Sequence, residues 1–214
     1  MLSLLTLFAN NIGMRPVKEK RERALGARLF LKPERSASPK AAIVRRPYRP
    51  GPHGQKRHNV SDYGKQLNEK QKIQLTYGLT NRQMGNLFLR NKDKKKIIQA
   101  LEHRLDRVVS LLGFAGSVRV ARQLVSHGHI VVNGRKVTIP SFRVKVNDVI
   151  AIRDESRRLK AFEELGDRLK KYNPPDWLEL TSKEEFKGRC VKEFDPEGTQ
   201  FSFDINLVGE FYSR

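Results

Sequence analysis

The stretch LEHRLDRVVSLLGFAGSVRVARQLVSHGHIVVNGRKVTIPSFRVKVNDVIAI, residues 101–152, decides how this chain is read. Leu101, Leu105, Val108, Val109 and Leu112 fall at i, i+4, i+7, i+8 and i+11, which predicts one apolar face of a helix. Gly113 follows, where a left-handed cap meets no Cβ clash. Ser117 is the expected N-cap of a second helix. That helix would bury Val120, Ala121, Leu124 and Val125, leaving Arg119, Arg122, Gln123 and His127 on or near its open side. The run from His129 to Val132 reads as a strand that turns at Asn133-Gly134, a pair suited to the positive φ angles of a tight hairpin. Residues 142–152 alternate well enough to supply further strands. A small α–β unit whose cations lie outside its apolar periodicity offers a surface to a polyanion.

Charge extends that reading outward. The net charge is +20 over 214 residues. Residues 15–60 hold fourteen Lys/Arg against three acids, and residues 91–160 hold sixteen against six. The last 54 residues hold eight against twelve, so the tail has a different task. Two separate basic segments favour RNA, DNA or an anionic surface as partner. The single Cys190 excludes an intramolecular disulfide framework and a multi-cysteine zinc cluster. The apolar run Leu2–Ala9 is far below the roughly 20 residues that span a bilayer, and no Lys or Arg precedes it. Met14 is the expected start site, since the basic sequence begins at once with Arg15, leaving 1–14 as an extra segment.

Residues 15–60 read as an extended basic arm, interrupted by Pro16, Pro33, Pro39, Pro47, Pro50 and Pro52, with a short helix around Glu19 to Leu31. Ordering on a polyanion is the expectation for such a segment. Gly51-Pro-His-Gly54 fits the bare GxxG of KH loops, but a KH loop joins two helices and this flank is rich in Arg and Pro. Ser61 and Asp62 cap a helix toward Leu75, and a second runs from Thr80 or Asn81 to Leu89, burying Met84, Leu87 and Phe88. A charged helix is expected from Arg157 to Tyr172, with Leu159, Phe162, Leu165 and Leu169 as its stripe. Trp177 to Leu180 and Phe201-Ser-Phe203 read as short strands, and Ile205 to Tyr212 as a closing element.

Several runs resemble a known family. Arg45-Arg-Pro-Tyr-Arg-Pro-Gly-Pro-His-Gly54, Ser61-Asp-Tyr-Gly64, Gln66-Leu-Asn-Glu-Lys-Gln-Lys72, Ala121-Arg-Gln-Leu-Val125, His127-Gly-His129, Val132-Asn-Gly134 and the terminal Glu210-Phe-Tyr-Ser-Arg214 are similar to bacterial small ribosomal subunit protein four. The likeness covers nearly everything from about residue 15 onward. It implies an α+β protein with three parts. The first is the basic arm at 15–60, and the second a helical domain at 61–97, completed by 187–214. The third is an inserted RNA-binding domain at 98–186, whose core module of two helices plus antiparallel strands spans about 99–155. The acidic tail would then pack on the 61–97 helices. Many relatives hold zinc with four arm cysteines, and the corresponding positions here are Glu19, Glu22, Ser36 and Ala41, so the arm is expected to hold no metal. Two further departures are Val118, where relatives often place an arginine, and Asn59, where they often have another basic residue.

The resemblance also implies partners. These are the 5′ domain of 16S rRNA, bound early in assembly at a helix junction, mRNA at the entry side of the subunit, and the neighbouring small-subunit proteins three and five. No cofactor, membrane or small-molecule substrate is expected, and the location is cytoplasmic and ribosome-bound. Junction recognition rests on shape, phosphates and 2′-hydroxyls. The candidate rRNA-binding residues of the module are Arg104, Arg107, Arg119, Arg122, Gln123, His127, His129, Asn133 and Arg135. Those of the arm are Arg45, Arg46 and Arg49, with Tyr48 for stacking. By resemblance, Lys56 and Arg57 lie nearest the mRNA path. Asp106 is expected to serve the helix surface beside Arg107, not catalysis. The alternative is a free-standing, ribosome-associated RNA chaperone with the same module, which would lack the 45–72 run and the closing motif. An enzyme would need a catalytic fold outside 99–155, and no Walker loop, GxSxG or HExxH is present. No long basic amphipathic helix supports a membrane-surface role.

Overall fold

The computed structural model describes residues 19–31, 36, 38–56, 59–91, 93–163, 165–170, 172–182 and 184–213. Leu2–Ala9, Met14, Arg57 and His58 lie outside them. The chain forms two compact units, one of Val17–Ile98 with Pro196–Arg214, the other containing Gln99–Asp195.

In the first unit, helix starts follow the capping chemistry of the sequence. The Ser61 hydroxyl accepts from the Gly64 amide, opening a helix at Asp62–Tyr77 that closes on Gly78 at φ +62°. Thr80 and Gln83 form a reciprocal capping box for the Asn81–Arg90 helix. Ile73, Tyr77 and Met84 are buried between the unit's elements. The closing helix Ile205–Tyr212 packs on both. Gln66 Nε2 donates to Glu210 at 3.0 Å, Tyr63 lies 5.6 Å from Phe211, and Phe88 stacks on Tyr212 at 4.8 Å. Glu210 of the tail is therefore used against the Asp62–Tyr77 helix. The arm has its own buried positions at Glu22, Leu29, Ser36 and Ala41. Its first helix, Lys20–Leu25, is shorter than expected because Gly26 turns left-handed at φ +63°.

The second unit is an antiparallel sheet with a helix pair. Its strands are β1 Ile130–Val132, β2 Arg135–Lys136, β3 Val149–Ile152, β4 Leu178–Ser182 and β5 Lys187–Cys190, in the order β2-β1-β3-β5-β4. Asn133 and Gly134 make the turn at φ +50° and +76°. The Asn133 side chain completes it, donating to Asp148 at 2.8 Å and accepting from the Val149 amide at 2.9 Å. The helices Leu105–Leu111 and Val118–Ser126 pack against each other. Leu105, Val108, Val109, Leu112, Ala121, Val125, Ile130, Ile150 and Ile152 are almost wholly buried in this unit.

Several expectations need correction. The stripe from Leu101 to Leu112 belongs to two helices, not one. Lys94–Glu102 ends, Arg104 turns extended at ψ 138°, and Leu105–Leu111 begins. Arg104 bridges Arg143 there, and the Leu105 and Asp106 amides donate to Phe142 and Pro140 carbonyls. Tertiary pairing thus replaces the helical bonds at a point where the apolar spacing shows no break. The Arg157–Tyr172 segment divides into Asp154–Arg157, Lys160–Glu163 and Leu165–Lys170, with Leu159 exposed and Phe162, Leu165 and Leu169 buried. Phe201 and Phe203 form no strand, and the Phe203 ring packs edge-on against Tyr77 instead. Lys187–Cys190 pairs with β3, so the chain rejoins the helical unit near Pro196 rather than at residue 187.

Candidate RNA-binding surface

The centre of the second unit's polar chemistry is Asp106, which is fully buried and accepts from two arginines of different elements. Arg104 forks onto it, Nε to Oδ1 at 3.1 Å and Nη2 to Oδ2 at 2.8 Å. Arg122, one helix away, donates Nε and Nη2 to Oδ2 at 3.0 and 2.7 Å. The Arg107 amide donates to Oδ1 at 2.9 Å, and the Arg107 Nε donates to the buried Glu102 at 3.0 Å. Three candidate arginines are thus gathered by two buried carboxylates in charge-assisted bonds. Their side chains stay partly exposed, at 12% for Arg104, 24% for Arg107 and 13% for Arg122.

Around this hub the other candidates separate. Arg119 is half-buried, while His127 and Arg135 are exposed. His127 and His129 have ring centroids 6.0 Å apart. His129 is half-buried, with Nδ1 3.0 Å from the Ser156 hydroxyl. Burial first, then the neighbouring His127, Arg153 and Lys136, push its pKa below the ordinary histidine value, which favours a neutral ring. Asn133 spends its side chain on the hairpin. Gln123 is a correction to the expected open face of its helix: it is buried, and its Nε2 has no partner among the described residues. The neighbouring elements cover more than the Ala121/Val125 stripe alone would require. Two cations that no sequence motif singles out join this surface: Arg143, exposed beside Arg104 through their bridge, and Lys136, whose stem lies across Gly128. Asp106 and Glu102 hold arginines of another element, a role that no sequence pattern signals. A carboxylate sixteen residues before its arginine leaves no periodic signal.

The arm presents a separate basic surface. Arg23 Nε donates to the Arg46 and Tyr48 carbonyls at 3.0 and 3.1 Å, and its guanidinium sits 5.0 Å from the centre of the Tyr48 ring. One face of Tyr48 is therefore already covered. A cavity of about 240 Å³ is lined, among the described residues, by Arg23, Lys40, Ala42, Arg45 and Arg46, four of them cations. Arg45, Arg46 and Lys56 are exposed, and Arg49 is half-buried. Gly54 folds back onto Arg49 so closely that a Cβ there would lie 1.8 Å from the Arg49 carbonyl oxygen.

Residues 103–150 match the S4 domain, and residues 15–110 match the ribosomal protein S4/S9 N-terminal domain. The chain is 47% identical to small ribosomal subunit protein uS4 of Thermus thermophilus, over 88% of this chain and 93% of that protein. It belongs to the uS4 family. Similar proteins of the same name from a Thermoanaerobacter and a Geobacter species are each 43% identical over 88% of this chain and 93% of theirs. The uS4 family is structural and non-enzymatic. A zinc ion of the kind some relatives hold in the arm does not fit here. The Glu22 carboxylate is buried and accepts from the Leu29 and Leu31 amides at 3.1 and 3.2 Å, while Ala41 offers only a buried methyl group. The described residues contain no metal-ligand cluster of three or more His, Cys, Asp or Glu.

Proposed function

We propose that this protein is a structural constituent of the small ribosomal subunit that binds the 5′ domain of 16S rRNA early in assembly. The observation that carries this is the set of Arg104, Arg107 and Arg122, gathered by buried carboxylates inside the segment that matches the S4 domain. Guanidinium groups fixed in plane suit the phosphates and 2′-hydroxyls of a folded junction, where shape outweighs base reading. Arg119, His127, His129 and Arg135 extend this surface, and the arm adds a second one through Arg45, Arg46, Tyr48 and Arg49. The basic cavity between Arg23 and Arg46 fits one phosphate group of the same RNA. Lys56, and Arg57 outside the described residues, belong by family resemblance to the mRNA entry side, with ribosomal proteins three and five as neighbours. The site of action is the cytoplasmic ribosome. Coverage of 93% of the Thermus relative, with the arm inside the matched N-terminal domain, favours this over a free-standing RNA chaperone.

The reading predicts a steep salt dependence of affinity for a transcript of the 5′ domain. With about six phosphates neutralised, log K falls with log salt at a slope near −4 to −5. A nearly flat response would refute phosphate-led recognition.

A further inference from the structure

We propose that Asp106, assisted by Glu102, is a positioning residue for RNA recognition: it sets the geometry of Arg104, Arg107 and Arg122 without touching RNA itself. The inference rests on the rRNA-binding reading above.

Arg104 lies in the extended link before the Leu105–Leu111 helix, and Arg122 lies on the Val118–Ser126 helix. Two guanidinium groups brought together from separate elements repel one another unless an anion stands between them. Asp106 is that anion, and the four side-chain bonds described above are each 3.1 Å or shorter. Each arginine uses its Nε–Nη2 edge on the carboxylate, which fixes the plane of the group. A free arginine gives up several rotatable torsions when it meets a phosphate, whereas these have given them up on folding. Arg107 receives the same treatment from Glu102, whose own exposure is 3%. All three arginine side chains retain some exposure, which an ion pair serving only the core would not need.

The sign of one substitution separates positioning from plain electrostatics. Asp106→Asn removes a negative charge close to a polyanion, so bulk electrostatics alone would tighten RNA binding. A positioning role makes the same change weaken it, because the amide no longer accepts from both arginines in fixed planes. The experiment uses the full chain and a transcript of the 5′ domain of 16S rRNA, titrated at physiological salt, with thermal melts confirming that each variant is folded. The expected result is binding about tenfold weaker for Asp106→Asn, the scale of one well-placed guanidinium contact. In an Arg104→Ala, Arg122→Ala background the same change should cost less than about twofold, as coupled residues require. Glu102→Gln should weaken binding about threefold through Arg107 alone, and decides the matter if Asp106→Asn does not fold. A folded Asp106→Asn that binds as well as or better than the parent would overturn the proposal, as would an unchanged Glu102→Gln where it alone is folded. Failure of the parent protein to bind the transcript would instead reject the rRNA reading beneath it.

Discussion

Replacing Glu22 should loosen one turn of the arm and leave the rest of the protein intact. Glu22 is 2% exposed, and one of its carboxylate oxygens accepts from both the Leu29 and Leu31 amides. Hydrogen bonds to a charged acceptor contribute about 1.5–3 kcal/mol each, and two on one oxygen add less than fully. Glu22→Ala also leaves the buried Leu29 amide without its acceptor. Together these give a local loss of about 2–4 kcal/mol, or roughly 30- to 1,000-fold faster opening of the turn. The assay is amide hydrogen exchange at Leu29 and Leu31, with the amides of the Asp62–Tyr77 helix as internal reference. Glu22→Gln keeps an acceptor but not its charge, so it should fall between parent and alanine variant. Chelator should leave the parent's two amides unchanged, since a carboxylate and not a metal closes this turn. Unchanged exchange at both amides in Glu22→Ala would refute the reasoning.

Three further outcomes follow from the second unit. His103 is buried, with Nδ1–H donating to the Val144 carbonyl at 3.0 Å and Nε2 accepting from the Phe194 amide at 3.1 Å, so the folded state holds it neutral. Burial first, with Arg143 adding, lowers its pKa, so its contribution to stability is full above the unfolded value near 6.5 and is lost as pH falls below that. Urea midpoints should therefore drop between pH 7.5 and pH 5.5, and drop less in His103→Gln; equal slopes in the two proteins would count against this. Gly188→Ala would place a Cβ 2.6 Å from Leu112 Cδ2, and about 1–3 kcal/mol of destabilisation should appear in denaturant melts. Burial, with Asp148 and Glu193 nearby, pushes the Cys190 thiol up to about 11. Alkylation at pH 8 should be slow in the native protein and fast in urea, and comparable rates would show the site to be open.

Much of the fold is local chemistry and was legible. Ser61, Thr80 and Ser117 cap the helices assigned to them, and Asn133-Gly134 turns the hairpin. These features depend on residues within a turn of one another. The break at Arg104 was not legible, because Leu101 and Leu105 keep helical spacing across it while the bridge to Arg143 comes from 39 residues away. The place of Lys187–Cys190 in the second unit is hidden for a similar reason: a strand of Lys, Gly, Arg and Cys has no alternation to announce β3 as its partner. At the site, the arginines stood out by type and their anchors did not. Asp106 at the start of a helix reads as a surface acid, and only the fold brings Arg122 onto it. Gln123 shows the converse, a polar residue placed outside the apolar stripe yet covered by its surroundings.

The central claim is specific recognition of rRNA, and a competition titration tests it most directly. The full chain is titrated against a 5′-domain transcript of 16S rRNA at physiological salt, with excess tRNA present. Tight binding that survives the tRNA is the result predicted by an ordered arginine array. Binding that the tRNA erases would contradict it and leave only a basic protein that coats RNA.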